Sequence, residues 1–488
     1  MLADRRVKIV STLGPASNTP EMIEKLIRAG VNVFRLNFSH STHDVHLEVL
    51  KSIRKLSQEL NAPVTILQDL QGPKIRVGKL KDPILDLKDG AEIILTTDEV
   101  VGDVKKISVD YVRLHEFAKP GMKVLLDDGL IEMVILDVKG RDIICRVVFG
   151  GELKERKGVN IPGAQLDIAC LTEKDLKDLE FGITNEVDYI ALSFVRHEND
   201  IIQLRKILEE RGSKARIIAK IEMLEALMRL EQIIRKSDAV MVARGDLAVE
   251  VGQTQLAHTQ KSIIQLCNSL GKPVITATQM LESMVKNPRP TRAEVTDVSN
   301  AVLDGSDALM LSAETASGKY PVRCVQTMHE VIVEVERTMQ HYYNLNVDAE
   351  FLSVAEAIAA SACLTALKLD AKAIICLTTS GKTARLIASY RPKAQIFAAT
   401  HVFDVLNKLE LIWGIQTITI EPYESSEGAL KQIEAILLSF DLVKPGDKII
   451  MTLGIPVPDR GTTNSLRVHT VQGNNSPKAK EDLPLRFK

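Results

Sequence analysis

Polar and charged side chains stand at the ends of short apolar, β-branched runs along much of this sequence. A charge inside an apolar strand is costly unless it is paired or bound to a metal ion. One such residue would be an accident, but the same pattern in run after run indicates a site. The residues concerned are Arg35, Asn37, Ser39, Asp69, Lys220, Glu222, Arg244, Asp246, Thr276, Thr278 and Glu314.

Three of these residues could hold a cation and an anion together. Lys220 and Glu222 lie two residues apart in one predicted strand, and so on the same face. Glu222 and Asp246 end neighbouring runs, and two carboxylates completed by substrate oxygens and waters are typical of Mg²⁺. Gly245 beside Asp246 lets backbone N–H groups approach an anion. The pattern predicts a site that stabilises developing negative charge, with a purely structural Lys–Glu ion pair as the alternative.

The runs predict the elements that must position these side chains. Their hydrophobicity is continuous, which indicates parallel strands buried on both faces, and segments of helical periodicity separate them. Eight βα units predict an α/β fold with a (β/α)8 TIM barrel, whose active site lies at the C-terminal ends of its strands. The runs cover residues 8–12, 31–38, 64–70, 189–194, 216–222, 239–246, 273–279 and 308–315.

Two further regions differ from this pattern. About 100 residues after the third run contain alternating strand-like segments and turn signals at residues 127–129 and 139–142, which predict a small inserted β-barrel placed as a lid. After about residue 345, αβ units without an insert predict an open α/β domain. We therefore expect a catalytic barrel of residues 1–70 and 171–344, a lid of residues 71–170, and a C-terminal regulatory domain of residues 345–488.

The composition excludes several classes of function. A net charge of -2 and an aromatic content of 4% offer nothing that would attract or stack nucleic acid, or attract an anionic membrane. Six scattered cysteines without a C-x-x-C pair predict reduced core residues. There is no signal peptide and no uncharged apolar run of the ~18 residues that span a bilayer. We expect a soluble cytoplasmic protein without nucleic-acid or membrane partners.

Six motifs resemble, in order and spacing, those of bacterial-type pyruvate kinases. Each alone is weak, but together they surround the predicted insert and extend over essentially the whole chain. The resemblance implies transfer of the phosphoryl group of phosphoenolpyruvate to ADP, giving ATP and an enolate that is protonated to pyruvate, the last step of glycolysis. The motifs are FRLNFSH (34–40), LQDLQGPKIRVG (67–78), KGVNIPG (157–163), IIAKIE (217–222), MVARGDL (241–247) and TATQMLESM (276–284).

The resemblance also implies a role for each matching residue. Catalysis falls to Lys220, Arg35 and Thr278. The phosphoenolpyruvate contacts are Arg35, Lys220, Gly245, Asp246 and Thr278, and the Mg²⁺ ligands are Glu222 and Asp246. The nucleotide contacts are Asn37, Phe38, Ser39, His40, Arg76 and Lys157, with the last two at the edges of the insert.

One position departs from potassium-dependent relatives. Those members hold K⁺ among residues matching Asn37, Ser39, Asp69 and the carbonyl of Leu70, and carry a glutamate where this chain has Lys74. An ammonium there can supply the charge of K⁺ and repel a cation held nearby. We expect that K⁺ is not required; the alternative is that Lys74 points to solvent and the K⁺ site works normally.

A second phosphate-binding segment follows a strand of the C-terminal domain. It resembles the end of a Walker A loop, but Cys376 stands where that motif requires glycine, so an ATPase site is not expected. Hydroxyls and N–H groups at a helix start nonetheless suit a phosphate. The family's effector loop matches here, facing a second loop near residues 459–464, and the resemblance implies a phosphorylated allosteric effector and a homotetramer. The loop comprises Thr378, Thr379, Ser380, Gly381, Lys382 and Thr383.

Two other classes compete with this interpretation. A lyase or aldolase on a related barrel could share the lysine and carboxylates, but it would not need an ADP-binding lid with Arg76 and Lys157. A non-catalytic sensor would use only the C-terminal loop, which leaves the charged strand ends unexplained. His43 and His46, close to His40, are interpreted as solvated imidazoles at a helix entrance rather than a metal cluster.

Overall fold

The computed structural model describes residues 5–164, 166–339, 353–455 and 463–473. The first βα units form as predicted, because Thr19 caps the first helix and Pro20 occupies its first position. The elements are β1 (Lys8–Thr12), α1 (Pro20–Arg28), β2 (Val33–Asn37), α2 (His43–Glu59) and β3 (Thr65–Asp69).

The insert follows β3 and is rich in strands. Its six-stranded sheet has the order β11-β7-β8-β9-β5-β6, and β10 pairs with β4 in a separate ribbon. Isolated bridges from Arg76 to Gly158 and from Val77 to Val109 connect the two edges of the sheet through an irregular segment, as a small barrel requires. The elements are β4 (Leu85–Leu87), β5 (Glu92–Thr96), β6 (Lys106–Ser108), α3 (Leu114–Phe117), β7 (Lys123–Leu126), β8 (Ile131–Lys139), β9 (Asp142–Phe149), β10 (Gly151–Leu153) and β11 (Val159–Asn160).

The remaining βα units close the barrel. Its strands run in the order β1-β16-β15-β14-β13-β12-β3-β2, all parallel, which confirms the predicted (β/α)8 architecture. The elements are α4 (Glu173–Thr184), β12 (Tyr189–Leu192), α5 (Glu198–Glu210), β13 (Arg216–Ile221), α6 (Leu224–Met228), α7 (Leu230–Lys236), β14 (Ala239–Ala243), α8 (Arg244–Val251), α9 (Gln253–Ser269), β15 (Val274–Ala277), a 3-10 turn (Glu282–Val285), α10 (Arg292–Leu303), β16 (Ala308–Leu311), α11 (Ala313–Ala316) and α12 (Pro321–Thr338).

Several predicted runs extend past the ends of their strands, and two of them reach into the following helix. β14 ends at Ala243, the last residue that pairs with β15, and Arg244 begins α8. β16 ends at Leu311, so Glu314 lies in α11 rather than in a strand. The apolar pattern continues into the following helix because that helix also packs on the core, and only the loss of strand pairing marks the boundary. Asp246 is therefore presented by the first turn of a helix.

The C-terminal domain is the predicted open α/β layer with one addition. Strands β17 to β20 pair in parallel, and β21 adds an antiparallel edge that was not predicted. Its half-exposed polar residues lack the continuous apolar signal of a buried strand. The expected boundary at residues 344–345 lies outside the described residues. The elements are α13 (Val354–Lys368), β17 (Ala373–Leu377), α14 (Lys382–Ser389), β18 (Gln395–Thr400), α15 (Phe403–Leu409), β19 (Ile415–Thr419), α16 (Ser426–Ser439), β20 (Lys448–Leu453) and β21 (Ser465–Thr470).

The C-terminal domain packs on the N-terminal ends of the barrel strands, opposite the predicted site. Arg391 forms an ion pair with Asp307 at 3.0 Å, and the Tyr189 hydroxyl donates to the Lys408 carbonyl at 3.0 Å. All six cysteines are free and buried, which confirms their interpretation as core residues. Among the described residues, no helix is long and apolar enough to cross a bilayer.

Candidate active site

Lys220 lies at the centre of a cluster at the C-terminal rim of the barrel. Its Nζ is 2.8 Å from Glu222, 3.3 Å from Asp69 and 2.7 Å from the Ser193 hydroxyl. Burial acts to lower the pKa of Lys220, but the Asp69 and Glu222 carboxylates outweigh it and hold that pKa above its ordinary value. Lys220 therefore stays an ammonium at neutral pH.

Arg35 joins the cluster through Asp69. Its Nε is 2.6 Å from Asp69 Oδ2, and its Nη1 donates to the Thr12 hydroxyl at 3.1 Å. Burial acts to raise the pKa of Asp69, but the charges of Lys220 and Arg35 together lower it below its usual range. Asp69 thus remains ionised and orients both cations toward the rim, where a phosphate would bind.

Glu222 directly follows β13, and Asp246 lies in the first turn of α8, which directly follows the adjacent strand β14. Glu222 is fully buried, and its second oxygen accepts a hydrogen bond from the Phe194 N–H at 2.7 Å. Burial raises the pKa of Glu222, and the charge of Asp246 adds to this rise, while Lys220 opposes it. Two hard oxygen donors that repel each other fit a divalent cation, which would relieve the repulsion.

No third protein ligand is needed for such an ion. Among the described residues, no group of three or more His, Cys, Asp or Glu side chains could hold a metal ion. The remaining coordination positions would therefore fall to substrate oxygens and water.

Lys74 reaches into this cluster from the start of the insert. Its Nζ lies 3.3 Å from Asp246 and 3.3 Å from Asp128. Burial acts to lower the pKa of Lys74, but these two carboxylates raise it above its ordinary value. The alternative in which Lys74 points to solvent is wrong. The partners in its two ion pairs, Asp246 and Asp128, are not among the residues that the resemblance assigns to K⁺.

The implied K⁺ ligands are engaged within the protein. The Leu70 carbonyl accepts a hydrogen bond from the Ser193 hydroxyl at 2.7 Å, and Asn37 Oδ1 accepts one from the Ser39 N–H at 3.1 Å. Asp69 pairs with two cations, as described above. These groups lie at the ends of β2 and β3, where Asn37 and Asp69 are register partners.

Gly245 and Thr278 meet at the ends of β14 and β15. The Gly245 N–H donates to the Thr278 hydroxyl at 3.0 Å, and that hydroxyl donates to the Ala277 carbonyl at 2.6 Å. Thr278 has a φ of 68°, a strained conformation that the surrounding contacts maintain. A β-carbon at Gly245 would meet only the Thr278 hydroxyl, at 3.9 Å, so the approach to this backbone is open.

Three of the predicted strand-end residues support the rim from behind. Arg244 turns inward to Asp297 at 2.8 Å and donates to the Thr278 carbonyl, which stabilises the strained loop. Thr276 is hydrogen bonded to Ser306 at 2.7 Å. Glu314 accepts hydrogen bonds from the N–H groups of residues 281 and 312. None of the three contacts Lys220.

The segment from Phe38 to His40 forms a loop beside the rim. His46 Nε2 donates to the His40 carbonyl, 2.9 Å away, and the His46 ring stacks on Phe38 with ring centres 4.2 Å apart. His46 is buried, so the expectation of two solvated imidazoles is wrong for it; burial lowers its pKa. His43 pairs with Asp178 at 2.7 Å. The aromatic packing of α2 and α4 fixes this loop.

The insert contacts α8 next to Glu222 and Asp246, the two carboxylates that could bind a metal ion. Arg76 and Lys157 lie on facing segments, since Arg76 bridges to Gly158, and Lys157 pairs with Asp127 at 2.8 Å. Asn160 is hydrogen bonded to Glu250 of α8, whose pKa burial raises to about 7. Lys74 also pairs with Asp246 of the barrel and with Asp128 of the insert. These contacts hold the insert over the rim of the barrel, as a lid requires.

The effector-type loop lies in the C-terminal domain, at the start of α14. The N–H of Gly381 donates to the Thr378 hydroxyl at 2.9 Å, and Gly381 has a φ of 75°. Thr383 is buried and its hydroxyl contacts that of Thr463. Thr379, Ser380 and Lys382 remain exposed. Residues 456–462, most of the second loop expected to face this one, lie outside the described residues.

Several residues of the site were not predicted. Ser193 links Lys220 to Leu70, and Thr12 holds Arg35, although each ends a strand-like run and so carried the signal used for the others. Asp128 lies in a turn, and nothing in its local sequence shows that it pairs with Lys74.

Comparisons with known proteins agree with this geometry. The family model of the pyruvate kinase barrel domain matches residues 4–325, and that of the pyruvate kinase alpha/beta domain matches residues 356–469. Pyruvate kinases of Staphylococcus aureus strains MRSA252 and USA300 are 45% and 44% identical over 472 residues, covering 96% of this chain and 80% of theirs. The crystal structure of a pyruvate kinase from Cryptosporidium parvum superposes with a TM-score of 0.92 at 37% identity, covering 96% of this chain and 97% of that one. The chain therefore belongs to the pyruvate kinase family.

Proposed function

We propose that Lys220, Arg35 and Thr278 carry out the family's transfer of a phosphoryl group from phosphoenolpyruvate to ADP. The observation that carries this assignment is the convergence of Lys220, Arg35 and two carboxylates on one open space at the barrel rim. Because its pKa is raised, Lys220 acts as a fixed positive charge and not as a proton donor. It neutralises the phosphoryl group and the enolate oxygen as negative charge develops.

Substrate binding is assigned to the same rim. Arg35 and Lys220 bind the phosphate, and the N–H groups of Gly245 and Asp246 receive the substrate carboxylate at the start of α8. The Thr278 hydroxyl accepts a hydrogen bond from the Gly245 N–H and donates its proton to the Ala277 carbonyl, beside the face on which the enolate is protonated. Its fixed orientation supports a role in delivering that proton.

We assign the metal site to Glu222 and Asp246 and the metal to Mg²⁺. When bound, the ion supplies positive charge to the substrate oxygens, which the two carboxylates alone cannot do. Lys74 competes for Asp246 in its absence. For K⁺, we propose that the site of Asn37, Ser39, Asp69 and Leu70 needs no such ion, since the Asn37 amide oxygen, the Asp69 carboxylate and the Leu70 carbonyl already have protein partners and Lys74 supplies a charge nearby.

The nucleotide is assigned to the cleft between lid and barrel. Asn37, Phe38, Ser39 and His40 border it from the barrel, and Arg76 and Lys157 border it from the insert. The contacts of the insert with α8 support a lid that excludes water from the transferring phosphate. The proposed units are a barrel of residues 1–70 and 171–344, a lid of 71–170 and a C-terminal domain of 345–488.

Regulation and assembly complete the proposal. A phosphorylated effector would bind residues 378–383, where the contact between Thr383 and Thr463 brings the second loop close. A homotetramer is supported by exposed apolar residues on α13, among them Val354 and Leu367, and light scattering would test it. We infer a cytoplasmic location from the substrates and from the buried, unpaired cysteines.

The experiment that tests the function is a coupled assay of pyruvate release. Release should require both phosphoenolpyruvate and ADP and should be lost on replacing Lys220. Pyruvate release without ADP would instead point to a lyase, and the same rate in Lys220→Met as in the wild type would contradict the assigned site.

A further inference from the structure

A cavity of about 450 Å³ lies between the barrel and the C-terminal domain, on the side of the barrel opposite the active site. The barrel wall consists of the segments that precede β14, β15 and β16, including Asp238, residues 271–273 and Asp307. The other wall is α14 with the segment that follows it. The volume falls within the range typical of small-molecule sites.

Two cations line this cavity without a carboxylate partner. Lys272 donates only to backbone carbonyls, those of Ser237 at 2.6 Å and Arg235 at 3.3 Å. Among the described residues, neither Lys272 nor Arg385 has a carboxylate within ion-pair distance. Burial lowers the pKa of Lys272; the charge of Asp238 opposes this fall, and the charges of Arg205 and Arg385 add to it.

The acidic groups of the cavity are occupied elsewhere. Asp238 pairs with Arg205 at 2.9 Å, and Asp307 pairs with Arg391 at 3.0 Å. Glu356 caps the start of α13 through Ser353. Burial and the charge of Arg216 lower the pKa of Arg385, and Tyr189 and Asp238 oppose this only in part. The cavity thus presents positive charge that its carboxylates compensate only in part.

This cavity adjoins the effector loop and shares Lys382 with it, but Lys272 and Arg385 lie outside that loop. Lys382, Arg385, Leu386 and Ser389 lie on one face of α14 and line the cavity, whereas Thr383 is buried against Thr463 on another face. The ring of Tyr390 and the side chains of Leu386 and Ile412 supply an apolar part of the lining.

We propose that the cavity binds a small phosphate ester, with its phosphate between Lys272 and Arg385 and its organic part against Tyr390 and Leu386. A phosphate dianion matches two neighbouring cations in charge, and a guanidinium can bind it through two parallel hydrogen bonds. A ligand held there contacts both the barrel and α14, whose first residues form the effector loop. The cavity is therefore a second anion site that links the two domains.

The test uses inorganic phosphate as the probe and the full-length enzyme. Thermal unfolding is followed against phosphate concentration at constant ionic strength, for the wild type and for Arg385→Met and Lys272→Met. Lys368→Met, at an exposed lysine of the same domain, is the matched control. A Thr379→Ala/Ser380→Ala double variant reports phosphate bound at the effector loop.

We expect phosphate to raise the melting temperature of the wild type. Arg385→Met and Lys272→Met should each need at least about tenfold more phosphate for the same rise, because each loses a charge-assisted hydrogen bond. Arg385→Lys should recover part of the response, and the control and the double variant should respond like the wild type.

Three results would overturn the proposal. They are no phosphate response in the wild type, an unchanged response in Arg385→Met, and a response that survives in Arg385→Met but disappears in the Thr379→Ala/Ser380→Ala variant. The last would assign the phosphate to the effector loop. Because Arg385 forms no ion pair with a described carboxylate, its replacement removes no such pair, and Arg385→Lys provides a second, milder change.

Discussion

Lys74→Glu should make the enzyme depend on K⁺. Lys74 Nζ is 3.3 Å from Asp246 Oδ1, and the two side chains are 24% and 26% exposed. At an effective dielectric of about 20, unit charges at that separation interact by ~5 kcal/mol, and a fully exposed pair by only ~1 kcal/mol. A value midway, about 3 kcal/mol, corresponds to roughly 150-fold in affinity for a cation bound as close to Lys74 as Asp246 is. Replacing the ammonium with a carboxylate turns repulsion of that cation into attraction.

The assay is the initial rate in tetramethylammonium buffer, with and without KCl at constant ionic strength. The wild type should be active without K⁺ and gain less than about twofold from it, whereas Lys74→Glu should gain at least about tenfold. Lys79→Glu, the same charge change at an exposed residue of the insert, should behave like the wild type.

Two results would refute this reasoning. A wild type that is nearly inactive without K⁺ would show that the Lys74 ammonium does not replace the ion. A Lys74→Glu enzyme that is as indifferent to K⁺ as the wild type would show that no cation binds within reach of this side chain. Lys74→Met separates the two contributions, since it removes the ammonium without adding an attractive charge.

The other predictions concern catalysis, metal binding and regulation. Lys220→Met should lower kcat at least ~10³-fold, measured by coupled assay, while nucleotide binding persists; a variant with a tenth of wild-type turnover would remove Lys220 from the mechanism. Glu222→Ala and Asp246→Ala should each raise the Mg²⁺ concentration needed for half-maximal rate, and an unchanged Mg²⁺ dependence would mean that the metal site is misplaced. Lys382→Ala/Thr383→Ala should abolish activation by a sugar phosphate or a nucleoside monophosphate, and if no such metabolite shifts the wild-type substrate curve, the effector assignment fails.

Most of the barrel could be predicted because its strands are buried on both faces. Continuous apolar runs located all eight strands. The prediction failed where the local signal is ambiguous. The apolar pattern continued past Ala243 into α8, the edge strand β21 has no buried face to reveal it, and His46 looks like a surface residue until Phe38 packs on it.

The sequence by itself determined which chemical groups the site contains. Most of the strand-like runs end in a particular polar residue, and the βα order places the ends of all parallel strands on one rim of the barrel. Lys220, Glu222 and Asp246 therefore had to be neighbours. Only the tertiary structure decided which groups pair. Lys74 and Asp246 are 172 residues apart and meet because the insert packs on α8, and Ser193 reaches both Lys220 and Leu70 because the closed barrel brings β3, β12 and β13 side by side. Such distances depend on barrel closure and on how the insert docks, and no local pattern of residues contains either.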